Sequence, residues 1–410
     1  MNYELFIAKR IIVGKQYKSS ISSSIIKIAI TAIALGIIIM LISIATTVGL
    51  QKKIKEKISG FNGHIQIANY EDNNSQISIS PISIHQDFYP EFKNVTGIKN
   101  VQSFATKAGI IRTESDFEGV IFKGVNSDYD WSFFQNYLIE GDLLEITDKT
   151  SNNVLISKHI SDRLRLKLGD KLNLFFIKED GSPPNRRTPK VVGIYNSGYK
   201  EFDENYLIGD IKHVQRLNKW QSDQIGGFEV LLDDFDRLEE KGTEVYNQVG
   251  STLNAQTISE KYGPIFEWLE LLNTNIVVII VIMILIAGIN MITALLVLIL
   301  ERTQMIGILK SLGSNNWSIR KVFLYNASYL IAKGLFWGNI IGIGLLLAQK
   351  YFGFIKLNPE NYYVSEAPVY ISIGAVLILN ICTLILCMLM LLIPSYIVSK
   401  INPVKAIKFD

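Results

Sequence analysis

Four long stretches of the chain contain almost nothing but apolar residues. Ile28–Leu50, Ile276–Leu300 and Ala367–Ile393 carry no charge, and Val322–Leu347 carries only Lys333. A helix rises about 1.5 Å per residue, so some 20 residues span the roughly 30 Å of bilayer hydrocarbon. A buried core helix rarely needs such length without charge. The pattern therefore predicts four membrane helices, one near the N-terminus and three near the C-terminus, over 25–50, 274–300, 322–349 and 368–394. The first is too long and begins too far from Met1 for a cleaved signal, and no small-x-small site follows it. Between the first and second spans lies an inserted segment, 51–273, long enough to fold on its own core.

Lysine and arginine set the orientation. Residues 1–24 read as a basic amphipathic lead-in lying along the membrane surface before the first span. Lys9, Arg10, Lys15, Lys18 and Lys27 face Glu4 alone in this lead-in and its junction with the span. Arg302, Lys310, Arg320 and Lys321 face Glu301 in 301–321, and Lys400, Lys405 and Lys408 face Asp410 in the tail 395–410. Four spans put these three segments on one side, and their positive excess marks it as cytoplasmic. The cluster Lys52, Lys53, Lys55 and Lys57 points the other way, but long translocated domains tolerate charge. Both termini are thus expected inside, with 51–273 and the short connection 350–367 outside. The formal charge of +3 combines an acidic insert with basic flanks, so the basic excess belongs to topology and does not imply nucleic-acid binding. Cys382 and Cys387 both fall in the last span, so the insert has no disulfide.

Within the insert, 51–58 continues the first membrane helix, and Gly60 and Gly63 are expected to break it. His64–Ala68 alternates like a strand, 69–86 is polar and reads as a surface excursion, and Val101–Val125 is strand-like. Strands at Lys171–Ile177 and Val191–Tyr195 flank 178–190, which holds Gly181, Pro183, Pro184, Arg186, Arg187 and Pro189. Breakers between two strands predict an exposed hairpin. Later segments alternate strand and helix up to Ile258–Leu272, a helix leading into the second span. The fold class is an integral membrane α-helical protein with an inserted α+β domain. Its first and last parts are expected to pair into one subdomain and roughly 110–225 to form another.

No phosphate-binding GxxxxGK[ST] loop, HExxH motif or GxSxG elbow occurs, and the four histidines are isolated. No catalytic, metal or cofactor site is expected. The segment Glu301–Gly313 (ERTQMIGILKSLG) mixes Met305, Ile306, Ile308, Leu309 and Leu312 with polar residues. Such a helix either rests on lipid or docks into a partner's groove. Gly334, Gly338 and Gly342 repeat every four residues on one face of the third span, a small-residue stripe for helix packing within one subunit or between two.

Together these features resemble the Lol-type lipoprotein-releasing permeases, within the FtsX/MacB-like group of ABC transporter permeases. Phe6–Arg10 (FIAKR) resembles that family's entry signature, and Thr46–Ile67 its passage from the first helix to the outer domain. Glu301–Gly313 resembles its coupling helix, and Pro394 with Ile401–Ile407 (INPVKAI) its C-terminal signature. The resemblance implies an inner-membrane permease that moves its outer domain when a separate cytoplasmic ABC ATPase dimer, holding ATP and Mg, hydrolyses ATP. Glu301, Arg302, Ile306, Gly307, Ile308, Leu309 and Lys310 would then meet the ATPase. The partners implied are a second permease subunit, identical or paralogous, a lipoprotein substrate, membrane lipid and a periplasmic carrier. The carrier would dock on the hook-like hairpin at Pro183, Pro184, Arg186 and Arg187. Two departures stand out: Lys333, in a span usually uncharged in the family, and the sparse apolar content of the hairpin. The alternatives are a MacB-like efflux permease, in which a fused ATPase is frequent, and an FtsX-like regulator of cell-wall hydrolases, in which the outer domain is usually smaller.

Overall fold

The computed structural model describes residues 3–13, 21–72, 75–177 and 183–401. In chain order, α1 (Tyr3–Val13) and α2 (Ile21–Asn62) precede β1 (Ile65–Asn69), β2 (Ile82–Ser83), β3 (Ile98–Arg112) and β4 (Phe117–Val125). Next come α3 (Ser132–Tyr137), β5 (Leu138–Gly141), β6 (Asn153–Ser157), α4 (Lys158–Leu164), β7 (Asn173–Phe176), β8 (Asn185–Arg187) and β9 (Lys190–Tyr195). They are followed by α5 (Lys200–Asn205), β10 (Tyr206–Asp210), α6 (Lys212–Asn218), β11 (Gln224–Ile225), β12 (Gly227–Leu232), α7 (Leu238–Gln248), β13 (Leu253–Thr257) and α8 (Ile258–Lys261). The chain ends with α9 (Gly263–Glu301), α10 (Thr303–Ser311), α11 (Asn316–Phe352), α12 (Pro359–Tyr362), α13 (Ile373–Ser395) and α14 (Ile397–Lys400).

These elements form two compact units. One comprises Met1–Leu50, Leu269–Ile355 and Ala367–Asp410; the other comprises Gln51–Trp268 and Lys356–Glu366. Among the described residues, four helices are long and apolar enough to cross a membrane: those spanning Ser24–Asn62, Gly263–Glu301, Asn316–Phe352 and Ile373–Lys400.

In the first unit, the glycine stripe of α11 lies against α2. A Cβ at Gly334 would meet Ile33 at 2.7 Å, and one at Gly338 would meet the Ala34 carbonyl oxygen at 2.9 Å. Gly342 faces Leu41 at 3.0 Å. Without side chains here the two backbones approach closely, which is how small residues hold membrane helices together. The α11–α13 contact is fixed by a reciprocal amide pair. Asn339 Nδ2 donates to Asn380 Oδ1 at 2.6 Å, and Asn380 Nδ2 to Asn339 Oδ1 at 3.0 Å. Lys333 is on the exposed side of α11, its Nζ 4.7 Å from the centre of the Tyr329 ring one turn earlier. Cys387 is buried in the bundle and Cys382 is exposed.

In the second unit, the main sheet runs β13-β1-β12-β3-β4-β10-β6-β9-β5, with β7 pairing β3 and β8 pairing β7. The first and last parts of the insert do meet, since β1 lies between β12 and β13. The middle, however, joins the same sheet: β3 is long enough to pair β12 at one end, β7 at the other and β4 along its far edge. The polar excursion contains β2, which pairs β11, and Ile82, Phe88 and Phe92 are buried. Gly60 does not break α2, which continues to Asn62 and stops at Gly63 with φ +73°. Gly60 is needed for closeness instead, because a Cβ there would meet the Phe133 ring at 2.3 Å. Phe61, fully buried, stacks on Phe202 at 4.1 Å and anchors the end of α2 in an aromatic core. The helix expected over 258–272 is interrupted at Tyr262, between α8 and α9.

Candidate functional site

The connection from α9 to α11 exposes several apolar side chains, Ile308, Leu312 and Trp317 among them. Helix α9 ends at Glu301, and Arg302, with φ −101° and ψ 17°, turns the chain into α10. At the other end Gly313 takes φ +90°, its N–H bonds the Lys310 carbonyl at 3.0 Å, and the Ser314 N–H bonds the Leu309 carbonyl at 3.0 Å. That pair of bonds is the Schellman stop, in which glycine supplies the left-handed residue. Asn315 then caps α11 by accepting from the Ser318 N–H at 2.8 Å.

This short helix has two distinct faces. Ile306 and Gly307 are buried, and Ile306 packs with Leu298, Ile319 and Phe323 in the core of the membrane unit. Met305 and Leu309 are half-buried against the same core. Lys310 is held inward as well: its Nζ donates to the carbonyls of Ser399 at 3.2 Å and Ile401 at 2.8 Å. The outward face carries Gln304, Ile308 and Leu312, the last two 47% and 78% exposed, with Trp317 48% exposed just beyond. Glu301 is exposed, whereas Arg302 is half-buried. The seven residues singled out from the sequence therefore divide: Ile306, Gly307 and Lys310 build the helix into its own chain, Arg302 and Leu309 are half-buried, and Ile308 and Glu301 face outward.

Neighbouring elements brace this helix. Helix α1 packs against α11 through Ala8, Ile11 and Val322, with Met305 alongside, so Tyr3–Val13 rests on protein rather than lying along lipid alone. Ser318 Oγ donates to Glu4 at 3.2 Å, and Lys321 lies 3.9 Å from the same carboxylate. At the C-terminal end of α13, where the Tyr396 N–H bonds Ile393, the Leu392 carbonyl accepts instead from Arg320 Nη2 at 3.1 Å and Ser395 Oγ at 2.8 Å; Pro394, inside this last turn, has no N–H to offer Met390. The Arg320 guanidinium lies 5.1 Å from the Trp317 ring and 5.7 Å from the Tyr396 ring. Nothing in the sequence around Arg320 marks this lock, since its partners are more than 70 residues away. Residues 402–407 of the C-terminal signature lie outside the described residues.

In the second unit β7 and β8 pair antiparallel, with Leu174 opposite Arg187, Phe175 opposite Arg186 and Phe176 opposite Asn185. Residues 178–182 lie outside the described residues. Pro183 and Pro184 are exposed, and Ile177 before them is 65% exposed. Arg186 is tied to its own hairpin, donating Nε at 3.1 Å and Nη2 at 2.6 Å to Asn173 Oδ1. Arg187 Nη1 reaches the Arg186 carbonyl at 3.2 Å. Arginine thus stiffens the hairpin stem beneath the proline pair.

A buried ion pair sits deeper in the same unit. Lys123 on β4 and Glu229 on β12 meet across β3 at 2.7 Å, both almost fully buried. Glu229 Oε2 also accepts from Gln102 Nε2 at 2.8 Å, and Lys123 donates to the Phe61 carbonyl. Burial holds the Lys123 ammonium below its ordinary pKa, and Glu229 opposes that shift. A lone lysine in the apolar strand Phe117–Val125 is the one signal that could have revealed it.

Comparison with known proteins agrees with this architecture. Residues 28–245 match the MacB-like periplasmic core domain, and 277–403 match the FtsX-like permease C-terminal domain. The chain is 23% identical over 423 aligned residues to the lipoprotein-releasing system transmembrane protein LolE of Haemophilus influenzae, covering 99% of both chains. It is 22% identical to the transmembrane protein LolC of the same system from Buchnera aphidicola, covering 94% of both. The periplasmic region of MacB from Actinobacillus actinomycetemcomitans aligns with 51% of this chain and 95% of its own length, at 15% identity and a TM-score of 0.35. Four spans, an inserted extracytoplasmic α+β domain and family matches over nearly the whole length lead to one assignment. The chain belongs to the FtsX/MacB-like family of ABC transporter permeases, multi-pass membrane subunits that are not themselves catalytic and that work with a partner ATPase.

Proposed function

We propose that this chain is a permease subunit that extracts lipoproteins from the inner membrane and hands them to a periplasmic carrier. The observation that carries the reading is the end-to-end similarity to LolE and LolC, which covers both the spans and the insert. In this reading the outward face of α10, through Ile308, Leu312 and Glu301, receives a cytoplasmic ATPase dimer. Both termini are cytoplasmic, and a second permease subunit, identical or paralogous, completes a lipid-facing cavity. The exposed aliphatic residues of α9, among them Val277, Val281, Leu285 and Ile289, suit a cavity wall that receives acyl chains. Each CH₂ moved from lipid to water costs about 0.8 kcal/mol, so an acylated protein needs both a greasy path and an energy source. The β7–β8 hairpin, with Pro183 and Pro184 at its exposed end and Arg186 and Arg187 in its stem, is the carrier's docking point. Proline reduces the entropy lost when such a tip is ordered by a partner. MacB-like efflux is the second reading, favoured by the match of 28–245 to the MacB core domain.

The hairpin provides the test. Among the described strands β8 pairs only β7, so replacing 180–188 with a short Gly-Ser turn leaves the main sheet path intact. The variant should assemble and hydrolyse ATP normally while lipoproteins accumulate in the inner membrane. Unimpaired transfer to the carrier would reject the docking role. Orientation is checked separately in a variant lacking Cys382 and Cys387. Cysteines introduced at Glu114 and Lys356 should react with an impermeant maleimide on intact spheroplasts, and one at Asn316 should react only after lysis. Labelling of the Asn316→Cys variant from outside would overturn the topology.

A further inference from the structure

The second unit contains a cleft of about 350 Å³, within the size range of small-molecule sites. Its lining is largely polar and includes Asn62 at the end of α2, Gln66 on β1, Glu201 on α5, and Lys261 and Tyr262 at the end of α8. We propose that this cleft binds a small zwitterion of the amino-acid or short-peptide class, with the ligand carboxylate on Lys261 and its ammonium on Glu201. This goes beyond the export function, to which it adds an extracytoplasmic ligand.

The two charged groups carry the inference. Lys261 Nζ donates to Gln66 Oε1 at 2.6 Å, and among the described residues it has no carboxylate within ion-pair distance. Burial lowers its pKa, the cost of holding an ammonium in a recess beside a neutral amide. An anionic ligand group would remove that cost. Glu201 accepts from the Tyr199 hydroxyl at 3.3 Å, and it too has no cation within ion-pair distance among the described residues. The neighbouring pair Lys123–Glu229 also borders the cleft, but those charges already satisfy each other. The Tyr262 hydroxyl accepts from Asn62 Nδ2 at 2.9 Å, which leaves its own proton to donate into the cleft. Asp72 also lines the cleft and, with Glu229, acts on Lys261 from beyond ion-pair distance. Lys261 and Glu201, each without a direct ion pair among the described residues and held on separate helices, match a molecule bearing both signs. Such a ligand would bridge α5 and α8, and only Tyr262 separates α8 from the start of α9.

The test uses the full chain in lipid nanodiscs and isothermal titration with L-alanyl-L-alanine. We expect saturable binding of one dipeptide per chain, and none of N-acetyl-L-alanyl-L-alanine amide, which has the same shape without the charges. Lys261→Met should weaken dipeptide binding by about tenfold to a hundredfold, as for loss of a charged hydrogen bond. Ala68→Phe, which narrows the cleft and keeps both charges, should abolish it. The proposal is overturned if neither the dipeptide nor free alanine binds saturably, if the blocked peptide binds as well as the free one, or if Ala68→Phe has no effect. The blocked-peptide comparison uses the wild-type chain, so it decides even where Lys261→Met folds poorly.

Discussion

Replacing Ile308 with aspartate is expected to separate this permease from its ATPase without disturbing its own fold. Ile308 is 47% exposed on the outward side of α10, so the carboxylate meets water in the free chain. In a docked complex the same carboxylate is desolvated without a partner, which costs several kcal/mol and reduces affinity by tenfold at least. Ile306, two residues earlier, is fully buried in the membrane unit's core, and Ile306→Asp should instead prevent stable insertion. Copurification of the ATPase with each variant, beside its membrane level, distinguishes the two. Full ATPase association by Ile308→Asp would mean that this face rests on lipid.

Glu229→Gln should be the most damaging single change in the extracytoplasmic unit. It leaves the Lys123 ammonium in a site where both partners are almost fully buried, and breaking one side of such a pair costs about 3–5 kcal/mol. Lys123→Met combined with Glu229→Leu should recover much of the loss, because neither charge then remains to be desolvated. The single variant should also acquire a particular pH dependence. Burial already depresses the Lys123 pKa, and loss of Glu229 removes the interaction that opposes it. Between that lowered pKa and the ordinary lysine value, the unfolded chain binds the proton and the folded one does not. Stability of Glu229→Gln should therefore rise with pH through this alkaline window. Thermal unfolding of the full chain against pH measures it; a flat or falling profile would show that Lys123 keeps its proton without Glu229.

What the sequence reveals follows the length scale of each interaction. The four spans are legible because a run of more than 20 residues with at most one charge has few other uses. The hairpin is legible only in part: Gly181, Pro183 and Pro184 punctuate it, but its returning strand is Asn185–Arg187, while the expected Val191–Tyr195 pairs β5 and β6. Gly60 misleads, since a glycine that permits contact with Phe133 looks the same in sequence as one that stops a helix. The sides of α10 are equally ambiguous. Ile306 and Ile308 are both apolar, and only packing against Phe323 and Ile319 shows which one turns inward. The Arg320 lock and the Lys123–Glu229 pair join residues far apart in the chain; the lysine in an apolar strand hints at a buried charge, but no local pattern names its partner. Nor does local pattern reveal that β3 binds the middle of the insert to its ends, because that depends on a strand long enough to serve three partners.

The central claim is lipoprotein release. It is tested most directly in proteoliposomes containing this chain, its copurifying ATPase and permease partner, and an acylated lipoprotein. With carrier outside, ATP should move the lipoprotein into a soluble carrier complex, and replacing 180–188 should stop that transfer while hydrolysis continues. Hydrolysis by the intact complex with all lipoprotein still in the vesicles would contradict the account.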